Sequence, residues 1–157
     1  MEKTNVIRIL EQKKIFYEAL SYPFKDKEFV DGLEVARLLN QNPNEVFKTI
    51  VTISNSKRYY VFAVPVSKQI NLKYAAKEVN EKALELIKTN DLFTVTGYIR
   101  GGCSLIGMKK QFPTIVDASA LLLERIIFSA GKIGYQVKIN PLDLKKAIRV
   151  DFKKITD

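Results

Sequence analysis

Near the start of the chain the apolar positions Val6, Ile9 and Leu10 recur at helical spacing among charged residues, which predicts a helix over residues 4–14. The run "IFYEALSY" that follows is predicted as a strand. Asp31 is placed to cap a helix that carries Leu33, Ala36 and Leu39 on one face. "NPNEVF" predicts a short helical turn. After it, "KTIVTIS" and "RYYVFAVP" form a hairpin with "NSK" at its tip. Asn71 begins a helix through "LKYAAKEV", and "EKALELI" is predicted as another. "TIVDAS", "RIIFSAG" and "YQVKIN" are short strands. Asn140 then caps a helix with Pro141 at its first position, and a last strand lies near "VDFKKI". No repeat or low-complexity stretch interrupts the alternation. The pattern predicts a mixed α+β (α/β) fold, with a mostly antiparallel mixed sheet surrounded by helices, as a single domain over residues 1–157.

Composition narrows the partners. Lys and Arg number 26 against 17 Asp and Glu, a net charge of +9, so a polyanion is a natural ligand and nucleic acid the natural class. Solvated surface lysines account for such a charge equally well at this stage. No apolar run approaches the ~20 residues that cross a bilayer, so no membrane is expected. A single cysteine forms no internal disulfide, and a cytoplasmic location is expected. The chain has no histidine, which removes the commonest general base and excludes Ser-His-Asp and Cys-His arrangements. No carboxylate cluster suggests a metal, and no cofactor is called for.

The stretch "TGYIRGGCSLIGMKKQ", Thr96 to Gln111, holds four of the seven glycines and the only cysteine. Gly102 and Gly107 have the spacing of a phosphate loop, but Met108 stands where its lysine belongs, and the stretch does not fit G-x-G-x-x-G either. The glycines instead suggest bare backbone with exposed amide donors, able to admit an acyl ester and hold a carbonyl oxygen that gains charge. An ordinary glycine-rich turn is the plainer alternative. Cys103 lacks a histidine to activate it and is expected to be a small lining residue, not a nucleophile.

"TGYIRGGCSLIGMKKQFPTIVDASAL", "VFKTIV" and "IIFSAGKIGYQVKINPLDL" resemble, in the same order, the blocks of the YbaK family of bacterial aminoacyl-tRNA deacylases. "KTNVIRILEQKKIFYEALSY" resembles that family's opening, so the likeness runs from Lys3 to Ile155. The resemblance implies a barrel-like sheet and a freestanding editing enzyme related to the insertion domain of prolyl-tRNA synthetases. It also implies removal of cysteine from mischarged Cys-tRNA(Pro), and from Cys-tRNA(Cys) as an extension. In that chemistry the substrate's own thiol attacks its ester, so no histidine is needed.

By the same resemblance Lys48 is the leading functional side chain, with Gly101 and Gly102 beside it as catalytic backbone. Tyr22, Thr49, Ser104, Gly107, Ser129 and Gly131 are implied to bind the aminoacyl end. Lys109, Lys110 and Lys132 are implied phosphate contacts at the tRNA acceptor end, and prolyl-tRNA synthetase is a candidate partner. Leu105 stands where the family has proline, and Ile133 where it often has a basic residue. Leu105 therefore leaves two alternatives open: a deacylase for another small residue such as Ala-tRNA(Pro), or a non-catalytic aminoacyl-tRNA or synthetase-binding module.

Overall fold

The computed structural model describes residues 2–25 and 28–157. The first helix, α1 (Asn5–Gln12), is capped by Thr4, whose hydroxyl accepts from the Ile7 N–H, and it buries Val6, Ile7 and Leu10. Next come β1 (Glu18–Ser21), α2 (Gly32–Leu38), β2 (Phe47–Ser54) and β3 (Tyr59–Pro65). They are followed by α3 (Leu72–Glu78), β4 (Leu84–Leu86), α4 (Thr89–Thr96) and β5 (Thr114–Asp117). β6 (Ile126–Lys132), β7 (Tyr135–Ile139), α5 (Leu144–Ala147) and β8 (Val150–Lys153) complete the order. Asp31, Asn71 and Asn140 each cap an element as the sequence predicts, although Asn140 opens a short 3-10 turn, Pro141–Asp143, before α5.

The strands form a three-stranded sheet ordered β1-β7-β6 and a five-stranded one ordered β4-β2-β3-β5-β8. The first is antiparallel; the second mixes antiparallel β4-β2-β3 with parallel β3-β5-β8. One parallel bridge, Val46 to Ile127, joins them, and this is how far the two sheets wrap toward a barrel among the described residues. Alternation along β2 and β3 divides two apolar layers. Phe47, Val51, Val61 and Ala63 face the large core under α1 and the glycine loop. Tyr60, Phe62 and Val64 face a smaller one under α3. No helix among the described residues is long and apolar enough to cross a membrane.

One element differs from its predicted type. "EKALELI" contains β4, not a helix, and Leu84 to Leu86 pair with Thr52 to Ser54. Leu84 and Ile87 share a helical spacing, so the local pattern fits both states. The unpaired edge of β2 decides: a strand there satisfies backbone groups that a helix would leave open.

Candidate functional site

The outer edge of β2 is covered at both ends and open between them. At its start Ile127 N donates to Glu45 O at 2.9 Å. Farther on, Ile87 N donates to Val51 O at 3.0 Å, and β4 takes over. Residues 48–50 have no strand on that side among the described residues. Val66 N donates to Val46 O and Ser54 N to Arg58 O, so the even-numbered residues of β2 bond to β3. The N–H and C=O of Thr49 therefore point outward, into the gap.

Lys48 sits in this gap with its Cα opposite Val64. Its ammonium makes no hydrogen bond or ion pair among the described residues. It shares a face with Val46, two residues back, and Val46 bridges Ile127. Ser129 lies two residues beyond Ile127 on β6, opposite Gln136 on β7, which lies opposite Leu20 on β1. Cross-strand partners project to the same face. Leu20, Gln136, Ser129 and Lys48 thus form one row, and α2 covers its lower end through Ala36 against Val46 and Ile127. The β2–β6 ladder stops after its single bridge, so the strands part between Lys48 and Ser129.

Tyr22 lies two residues beyond Leu20, level with Gly134. Its N–H donates to Gly134 O at 3.0 Å and its side chain is buried. Burial pushes its phenol up, with the Gly134 backbone acting the other way. Gly101 and Gly102 reach the same end of the molecule by packing on the β6–β7 turn. A Cβ on Gly102 would lie 3.2 Å from Ile133 N and 3.3 Å from Lys132 Cα, so two backbones meet there with no space for a side chain. Gly101 adopts φ +88° and faces Ile133 and Phe29. Arg100 lays its guanidinium 3.9 Å from the Phe29 ring centre.

The expected amide donors are partly engaged. Gly102 N donates to Ile99 O at 3.0 Å, and Gly131 N to Ser129 Oγ at 3.1 Å. The amide of Thr49, in contrast, faces the gap.

Other residues named from the sequence lie elsewhere. The Thr49 side chain is on the opposite face of β2 from Lys48, and its Oγ1 is buried without a hydrogen bond. Ser104 is fully buried, with its Oγ accepting from Ile106 N at 3.3 Å. Gly107 packs against Asn5, Ile9 and the Tyr98 hydroxyl. The Lys109 side chain runs along Gly97, with Nζ 5.1 Å from the Phe93 ring centre, and Lys110 Nζ lies 5.9 Å from that of Phe112. Lys132 pairs with Glu2, and its Nζ lies 5.5 Å from the Tyr135 ring centre. Cys103 is buried in the large core, and burial drives its thiol up to about 12. A thiol so held supplies almost no thiolate near neutrality. Leu105 is fully buried in the same core, so the position where the resemblance leads one to expect proline is a packing position.

Gln136 is the residue that the sequence did not single out. It is 5% exposed, and its amide makes no hydrogen bond among the described residues. Neither polar atom of that amide is sealed off, so the group reaches the open space beside Ser129. An amide at the edge of open space is hydrated there, and a ligand's polar group can take the place of that water. The available signal was a lone polar letter inside the apolar strand "YQVKI".

A model of the aminoacyl-tRNA editing domain matches residues 30–147. A protein of Enterococcus faecalis (strain ATCC 700802 / V583) named "Putative Cys-tRNA(Pro)/Cys-tRNA(Cys) deacylase EbsC" is 37% identical over 155 residues, covering 99% of this chain and 94% of that protein. Among solved structures, hypothetical protein APE2540 superposes with a TM-score of 0.85 at 19% identity, covering 99% of this chain and 100% of the other. A structure described as "a putative trans-editing enzyme for prolyl tRNA synthetase" gives 0.81 at 16% identity, covering 99% of each. At those identities the two structures speak for the fold.

Proposed function

The chain belongs to the aminoacyl-tRNA editing domain family, and from that premise we propose that it is a trans-editing deacylase that frees cysteine from mischarged Cys-tRNA(Pro). Residues 1–157 act as one editing domain. The observation that carries the reading is the row on one sheet face: an ammonium at Lys48 and, beside it, a side-chain amide at Gln136, neither with a hydrogen bond or ion pair among the described residues. Such a pair stabilises charge and orients a polar substrate, and it holds neither a nucleophile nor a general base. It suits a reaction whose nucleophile arrives with the substrate.

The balanced step is a cyclisation. The cysteinyl sulfur bonds to the ester carbonyl carbon, the bond from that carbon to the ribose oxygen breaks, and the thiol proton ends on the ribose oxygen. The products are a cyclic thiolactone and tRNA with a free 3′ end. Lys48 favours the thiolate and the developing oxyanion, and the outward Thr49 N–H is a second donor for that oxygen. Gln136 and Ser129 bind the amino acid's polar groups, Tyr22 walls the acyl pocket, and Gly101 and Gly102 act by holding the β6–β7 turn beside it. Holding sulfur and carbonyl in contact supplies most of the acceleration such a site needs.

Cysteine and proline are similar enough in size that one synthetase pocket separates them by only a few kcal/mol, which is why a second site is required. The described fold is of a size to hold an acceptor end, so choice of tRNA is assigned to a prolyl-tRNA synthetase partner.

The test is a panel of charged tRNAs. Cys-tRNA(Pro) is expected to be cleaved fast, Ala-tRNA(Pro) slowly, and a serine-charged analogue slowly because a hydroxyl is a poorer internal nucleophile. Equal rates for serine and cysteine overturn thiol assistance. Faster release of alanine than of cysteine overturns the substrate.

A further inference from the structure

Apart from the row of polar side chains, none of which lines it, a cavity of about 180 Å³ lies at the β6–β7 turn. Phe24, Tyr98, Ile99 and Ile133 form its apolar walls, and Gly97 and Gly131 its floor. The volume is well below the ~300–1,000 Å³ of sites for drug-sized ligands, so it takes one small flat ring system.

Its aromatic wall is held in place. Gly134 has φ +93°, and a Cβ there would overlap the Phe24 ring, so the ring sits where a side chain would otherwise be. The ring also meets Tyr135 edge-on, at 6.0 Å between centres. Phe24 nevertheless remains 39% exposed, and Ile99 47%. These two groups leave apolar surface at the mouth of the cavity, open to a flat ligand. The Lys109 side chain runs along Gly97 and Arg100 follows Ile99, while Lys132 in the wall is paired with Glu2. Tyr98 contributes its ring alone, since its hydroxyl already donates to Ile106 O at 2.7 Å.

We propose that this cavity is a nucleobase subsite, which stacks one base of the single-stranded RNA 3′ end on Phe24 while Lys109 meets a neighbouring phosphate. Apolar and aromatic walls beside cations are how proteins hold single-stranded nucleic acid without reading base edges. The subsite rests on the deacylase reading above and deepens it. None of Lys48, Ser129 and Gln136 lines this cavity, so the acyl group enters the opening between β2 and β6 while a base is held at the turn.

The chain contains no tryptophan, so Phe24→Trp installs a single fluorescent reporter in the wall. Saturable quenching by AMP or CMP is expected, with none from ribose 5-phosphate, which has the phosphate and no base. Quenching by ribose 5-phosphate equal to that by the nucleotides overturns the subsite. In parallel, Phe24→Leu is expected to raise KM for Cys-tRNA(Pro) about tenfold with kcat nearly kept, the size of one lost stacking contact. An unchanged KM in that variant, while the wild-type protein deacylates normally, also overturns the subsite and leaves the deacylase standing. A wild-type protein that binds nucleotides yet deacylates no charged tRNA overturns the deacylase and leaves the base site.

Discussion

The loop from Gly97 to Gly107 and the hairpin tip from Ser129 to Gly134 both use glycines at positive φ, yet they do different work. In the first, Cys103, Ser104, Leu105 and Ile106 are all buried, and Tyr98 ties the loop across itself to Ile106. That loop is an interior brace whose outer end, Gly101 and Gly102, rests on the hairpin. The hairpin joins two features, the row of Ser129 and Gln136 on its strands and the Phe24 cavity lined by its turn. A concentration of unusual residues thus marks the support, and ordinary strand letters carry the polar face.

Changes on either side of this contrast sharpen or break it. Lys48→Ala is expected to lower kcat/KM for Cys-tRNA(Pro) by about 10²–10³-fold, the usual loss of a charge-stabilising donor. Its thermal midpoint should hardly move, because Lys48 has no hydrogen bond or ion pair among the described residues to lose. Full activity in this variant would remove the polar row from the mechanism. Leu105→Ala is expected to cost about 2–5 kcal/mol in urea unfolding while each folded molecule deacylates normally. Activity lost without stability would make the brace part of the site after all.

Gly102→Ala presses a methyl on the backbone of Lys132 and Ile133, which cannot swing aside. A loss of about 1–3 kcal/mol is expected, together with a raised KM as the two loops separate. Gln136→Leu should reduce kcat/KM about tenfold and leave stability nearly unchanged, because the amide has no hydrogen bond among the described residues to lose. A clear drop in its unfolding midpoint would show that the amide serves the fold.

Cys103→Ala is the smallest change at neutral pH, within about twofold in deacylation, since a buried thiol is inert. Its effect appears in alkali. The folded protein holds the thiol proton up to about 12, against an ordinary value of 9.0. The stability this contributes is complete below 9.0 and is lost as pH rises toward about 12. Unfolding midpoints measured across that window should therefore fall less steeply in Cys103→Ala than in the wild type.

Much of the architecture could be read locally. Asp31, Asn71 and Asn140 are caps because a short polar side chain before an apolar period satisfies free N–H groups wherever it occurs. The β2–β3 hairpin followed from two β-rich runs and a polar tip. The type of "EKALELI" could not be read, because what fixes it is an edge of β2 some thirty residues away in the chain, closed by nonlocal pairing.

The candidate site divides the same way. Lys48, Ser129, Gly101 and Gly102 stood out through the resemblance, and the fold gathers them at one end of the molecule. Gln136 and Phe24 did not stand out, since a glutamine in a strand and a phenylalanine in a loop are commonplace letters. What the sequence settled by itself was the chemical inventory: a basic chain without histidine, which excludes the usual hydrolytic machinery. Only the tertiary structure decided which groups face one another. Whether a polar group is satisfied depends on the strand that register sets beside it, and register is a property of the assembled sheets.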